Sequence, residues 1–201
     1  MSLSRLAALA LLAAAPAFAA TAPLAVDFEA DWAYGTDVND FYNGGSASDG
    51  STGGANLGVS FVNVSGLSND ANFTYYTGAP SAQGVAYAHD TAYMNVDAGV
   101  QGGLSFFYAT PVAITGAVQA WSGANGTGTL LGSFDLAANT SGGYDAWNKA
   151  VFTFAGTAKS FELSASSYVV AFDNIAAVPE PASVALMLAG LGVVALRRRK
   201  A

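Results

Sequence analysis

Between residues 22 and 178 no stretch repeats its apolar residues at helical spacing. Instead, short runs that alternate apolar and polar residues are cut at close intervals by glycine, serine, asparagine and aspartate. Leu24, Val26 and Phe28 alternate with Ala25, Asp27 and Glu29, and Leu104, Phe106 and Tyr108 repeat the pattern. A period of two with one apolar face is the signature of a half-buried strand, and many such strands separated by turn residues predict two packed antiparallel sheets. The predicted strands are 24–29, 57–64, 72–76, 85–88, 92–96, 104–108, 112–121, 129–136, 149–154, 160–165 and 168–175. Asn125-Gly126-Thr127-Gly128 and Gly142-Gly143 are expected to turn hairpins. Residues 43–58 are too polar and glycine-rich to pack and are expected to form a rim loop.

Composition agrees. Only 10% of the residues are charged, 23 are glycine, and glutamate occurs three times, which is poor material for surface helices. The length of 201 residues suits one domain plus targeting segments. There is no cysteine, so disulfides, thiolate metal sites and cysteine nucleophiles are excluded. Five of the seven basic residues sit at the chain ends, which leaves thirteen acids against Lys149 and Lys159 between residues 20 and 178, a net −11. A body of that charge repels nucleic acid, whose binding requires Lys and Arg on phosphates. Uncharged glycans and divalent cations are the better partners.

Both ends carry targeting patterns. Residues 1–20 combine Arg5, an unbroken Leu/Ala run and a small-residue site at Ala17-Phe18-Ala19, the pattern of a signal peptide. The last residues read VPEP, then ASVALMLAGLGVVAL, then RRRK. At ~1.5 Å per residue, 184–196 spans only about 20 Å of a ~30 Å hydrocarbon core. Ala182, Ser183 and the snorkelling arginine stems extend the reach to roughly 27 Å, within what bilayer thinning absorbs. The basic cluster orients such a helix with RRRK in the cytoplasm and the body outside. Pro179 and Pro181 hold the preceding backbone extended and accessible.

This tail resembles the PEP-CTERM sorting signal. Val178, Pro179, Glu180 and Pro181 match the motif, 182–196 its hydrophobic helix, and Arg197, Arg198, Arg199 and Lys200 its basic end. The resemblance implies a membrane-embedded exosortase as partner, cleaving near the motif and passing the protein outward. Segments 40–61, 118–136, 154–163 and 170–181 also resemble stretches common in PEP-CTERM proteins, which implies a β-sandwich resembling jelly-roll carbohydrate-binding modules. The expected organisation is a signal peptide at 1–20, a jelly-roll-like body at 22–177 and a sorting tail with a transmembrane helix at 178–201.

No catalytic set can be named. His89 is the sole histidine, and nothing in the spacing of the many aspartates singles out a carboxyl pair. Trp32, Tyr34, Phe41, Tyr42, Tyr75, Tyr76, Trp121 and Trp147 lie near turn signals, and sugars stack on such flat side chains. Trp32 and Tyr34 in ADWAYGTD and Trp147 in GGYDAWNK are the candidates expected to be exposed. If the first and last strands are neighbours, Asp27, Glu29 and Asp173 meet at one edge, where a structural Ca²⁺ would relieve their repulsion. Jelly-roll carbohydrate-binding modules, which the body resembles, often carry such an ion. The leading expectation is an exported, non-catalytic surface or extracellular-matrix protein. A carbohydrate-binding module for an exopolysaccharide is the alternative, and a weak glycosidase or lyase the third.

Overall fold

The structure, a computed structural model, describes residues 24–68, 76–141, 143–178 and 190–191. The expected signal peptide at 1–20 and nearly all of the expected transmembrane helix at 182–196 lie outside them. Among the described residues no helix is long and apolar enough to cross a membrane. The body is all-β, as its periodicity requires, with seven strands among the described residues: β1 (Ala25–Val26), β2 (Val59–Ser68), β3 (Gly84–Ala109), β4 (Ile114–Trp121), β5 (Leu130–Leu136), β6 (Asn148–Glu162) and β7 (Ala171–Val178).

The ladder runs β1-β7-β3-β6-β4-β5, with β2 on β3, and all pairs are antiparallel. Two strands turn the corner between layers together. The first part of β3 pairs with β2 and with the end of β6 (Asn95 opposite Ser160), its second part pairs with the start of β6 (Tyr108 opposite Asn148), and β7 pairs with both parts (Phe172 opposite Ala86 and Tyr108). The register breaks between Asn95 and Val100, where Gly99 takes φ +78° and a Cβ would sit 2.5 Å from Thr157 Cγ2. Bulges of this kind let a strand leave one sheet and enter another.

The layers meet through aromatic rings. Phe106 on β3 and Phe134 on β5 are three places apart in the ladder, about 14 Å in a flat sheet at ~4.8 Å per strand. Their ring centroids are 6.2 Å apart, and Phe134 also meets Phe152 of β6 at 5.5 Å, so the sheet is folded over on itself as a sandwich. Phe106, Leu104, Phe161, Phe172 and Met94 fill the interior at 2% exposure or less.

Several expected boundaries move. The expected strands 85–88, 92–96 and 104–108 are one strand, because Asp90 (φ +51°), Gly99 and Gly102 act as bulges rather than turns. Strands 149–154 and 160–165 likewise merge into β6 around Gly156 (φ +93°). The first strand stops at Val26, and the chain turns just beyond it, where Phe28 adopts φ +56° and its C=O accepts from Ala30 N–H. Asn125 and Gly126 turn the β4–β5 hairpin as expected, both at positive φ, with Thr127 N–H donating to Ala124 C=O. Gly142-Gly143 turns no hairpin, since β5 and β6 are not ladder partners; Gly142 itself lies outside the described residues. Residues 72–75 of the expected strand 72–76 also fall outside them, and Tyr76 is not in a strand. The polar loop 43–58 is not a loose rim. Ala47 is buried, Ser48 exchanges hydrogen bonds with Asp37, and Leu57 N–H donates to Tyr42 C=O.

Candidate functional site

Pairing of β1 with β7 (Val26 opposite Ile175) brings the chain's two ends of the body together. Asp27, Glu29 and Asp173 therefore gather around the segment 81–84. Glu29 Oε1 accepts from the N–H groups of Gln83 and Gly84, both at 2.9 Å. Asp173, fully buried, accepts from Ser81 N–H (2.9 Å), Ser81 Oγ–H (2.7 Å to Oδ1) and Asn174 N–H (2.7 Å). Asp27 Oδ1 accepts from Glu29 N–H and from Tyr42 Oη–H, each at 3.2 Å. Burial, and then the Asp27 charge, raise the Tyr42 phenol above its ordinary range. Among the described residues no group of three or more His, Cys, Asp or Glu is gathered closely enough to hold a metal ion. A calcium ion on Asp173 would have to displace the Ser81 donors.

Burial pushes the Asp173 carboxyl up to about 6, against the lowering effect of the Ser81 and Asn174 hydrogen bonds. A folded-state pKa above the unfolded one gives stability that is full at low pH and is lost as pH rises through the folded value. With an unfolded pKa near 3.9, this group should contribute about 2 kcal/mol at pH 4.5 and almost nothing at pH 7. Urea unfolding of wild type and Asp173→Asn across that window should show the difference narrowing by this amount. Parallel profiles would remove Asp173 as its source. The same titration in calcium and in chelator reads the cation, because a bound ion holds Asp173 ionised and erases the slope.

A second region has the form of a binding site. At the end of the sandwich where β7 begins, a cleft of about 230 Å³ is lined by Tyr34, Tyr76, Tyr87, Tyr144 and Tyr168. Leu67, Val170 and Ala171, which also line it, are buried and form an apolar floor. Tyr76 and Tyr144 are tilted rings 5.5 Å apart, and Tyr144 Oη–H donates to Val169 C=O at 2.8 Å. Tyr168 is 64% exposed and Tyr34 80%. Burial raises the Tyr144 phenol; burial and then Asp90 raise Tyr168, so both rings stay uncharged.

His89 stands beside the cleft, its ring 6.1 Å from Tyr168 and 6.2 Å from Tyr87. Nε2 lies 2.9 Å from Asp37 Oδ1 and Nδ1 3.4 Å from Asp90 Oδ2. Burial lowers its pKa, but the hydrogen bonds and charges of Asp37 and Asp90 outweigh that and hold it above the ordinary value. Ser65 Oγ–H donates to the same Asp37 oxygen at 2.6 Å. The carboxylate thus lies between serine and histidine, whereas a nucleophilic serine needs the imidazole in that middle place.

The expected glycan platform is corrected in part. Trp32 is buried at 4% exposure, with its indole N–H on Phe28 C=O (2.7 Å) and its ring against Phe41 (4.9 Å). It offers no face to a ligand. Trp147 is half-buried, donates to Tyr144 C=O, and does not line the cleft. Tyr34 does line it. Tyr87, Tyr144 and Tyr168 escaped the sequence reading because they come from a strand and two separate loops and share no local pattern.

The described residues thus form an all-β body with an aromatic cleft. Residues 177–200 match the PEP-CTERM protein-sorting motif, so the chain carries a PEP-CTERM sorting domain, the mark of an exported, cell-surface-sorted protein. No curated protein matches the chain. Among solved structures it is similar to the C-terminal family 6 carbohydrate-binding module of LamC, a marine laminarinase from Zobellia galactanivorans (16% identity, 59% of this chain and 90% of that one, TM-score 0.40). A family 6 module from Clostridium stercorarium in complex with cellobiose is similar at 21% identity, 60% and 87% coverage and TM-score 0.39. The cleaved adhesin domain of Lys-gingipain from Porphyromonas gingivalis matches at 12% identity, 79% and 99% coverage and TM-score 0.47.

Proposed function

We propose that this chain is a non-catalytic surface or extracellular-matrix protein, exported and then sorted at its C-terminus by an exosortase-type membrane enzyme. The sorting motif at 177–200 carries the reading. One feature of the fold supports it. The match begins within the last two residues of β7, where Gly103 pairs with Val178. Cleavage beyond Pro181 would therefore leave every described strand of the body intact. The Asp37-centred arrangement of Ser65 and His89 supports the non-catalytic part, because it provides no base for the serine.

Mass spectrometry of the protein recovered from cells with an active exosortase should find a C-terminus at or just after the motif, with residues 182–201 missing. In cells lacking that enzyme the tail should be retained. Full-length protein in both strains would overturn the sorting reading, and release of sugars from an extracellular polysaccharide would overturn the non-catalytic one.

A further inference from the structure

We infer that the five-tyrosine cleft is a binding site for a neutral glycan. Three observations carry this. The first is the lining: five phenol rings around an apolar floor in about 230 Å³, a shape that offers ring surface for the C–H faces of sugars, while the engaged phenol oxygens of Tyr144 and Tyr168 can each still accept from a sugar hydroxyl.

The second is Tyr168. A bulky residue in the left-handed region is strained, and here φ is +61° with the ring 64% exposed. The surroundings hold it there: Tyr168 N–H donates to Ala88 C=O (2.8 Å), Ser167 Oγ–H to Asp90 C=O (2.6 Å), and Tyr168 Oη–H to Asp90 Oδ1 (3.2 Å). Glycine or asparagine would take that backbone at lower cost, and the tyrosine's contacts with Asp90 and His89 still leave its ring 64% exposed at the cleft.

The third is charge. Neither lysine of the body reaches the cleft: Lys159 Nζ donates to Asp97 C=O, and Lys149 lies over the Phe107 ring at 5.8 Å. The acids Asp37 and Asp90 sit beside the cleft, on His89 and Tyr168. His89 is already paired with Asp37 and Asp90, so even with the imidazole protonated the cluster stays net negative; an anionic polymer meets net repulsion there, whereas a neutral one meets none.

The test is affinity electrophoresis of the intact chain in mild detergent, through gels containing laminarin, xylan or galactomannan, with alginate as the anionic control. At least one neutral polymer should retard the wild type, and alginate should not. Tyr34→Ala combined with Tyr168→Gly should weaken that retardation at least tenfold. Tyr168→Gly alone should not lower the thermal midpoint, since it relieves backbone strain, so lost binding cannot be assigned to unfolding. No retardation by any neutral polymer, equal retardation of the double variant, or preference for alginate would each overturn the inference. None of these outcomes depends on how the tail is processed, so this site and the sorting reading fail separately.

Discussion

Trp32→Ala is expected to destabilise the body by about 3–5 kcal/mol, the usual cost of emptying a buried aromatic site. The pocket is built for the indole. A Cβ on Gly66 would lie 2.3 Å from the Trp32 ring, and one on Gly84 would lie 2.0 Å from Phe28 C=O and 3.0 Å from the indole nitrogen. Phe28, at positive φ, points its carbonyl at the indole N–H, and Phe41 closes the other side. Because backbone forms so much of the wall, the site can collapse only partly. The neighbouring Tyr34→Ala, at 80% exposure, should change stability by no more than ~0.5 kcal/mol. Urea midpoints of the two variants measure the contrast, and a Trp32→Ala loss below about 1 kcal/mol would mean that the ring is not a core residue.

Deleting residues 182–201 is expected to act just as strongly on location. The apolar stretch and its RRRK end are the only part of the sequence besides residues 1–20 with membrane-spanning composition. Without it the chain should still leave the cytoplasm, since the signal pattern is separate, but should appear in the soluble extracytoplasmic fraction with no membrane-held precursor. Neutralising Arg197, Arg198, Arg199 and Lys200 should weaken arrest in the same direction, by removing both the charge bias and the snorkelling reach. Fractionation that finds the truncated chain still in the membrane would place the anchor elsewhere.

The all-β class, most strand positions, the Asn125-Gly126 turn and the sorting tail were legible from residue order, because each is a local property. Alternation decides which face of a strand is buried, a left-handed turn favours Asn-Gly, and a tail is recognised by the sequence of its parts. Whether a glycine interrupts a strand or merely bends it is not local. The gap expected between strands 92–96 and 104–108 holds Gly99 and Gly102, which are bulges, because the flanking segments pair with the same partner, β6, on either side. Trp32 resembled a loop aromatic for the same reason. Its burial follows from the turn at Phe28 and from glycines on two other strands, 34 and 52 residues away.

Residue order alone thus carried the class of fold, the net acidity of the body, and the sorting motif at residues 177–200. Which aromatics share a surface was settled by the long-range strand pairing. Tyr34, Tyr76, Tyr87, Tyr144 and Tyr168 are spread over 134 residues and converge because β7 threads between the two halves of the bent strand β3. No periodicity encodes such a convergence, since it is set by long-range pairing and by the strain held at Tyr168, not by the neighbours of any one tyrosine.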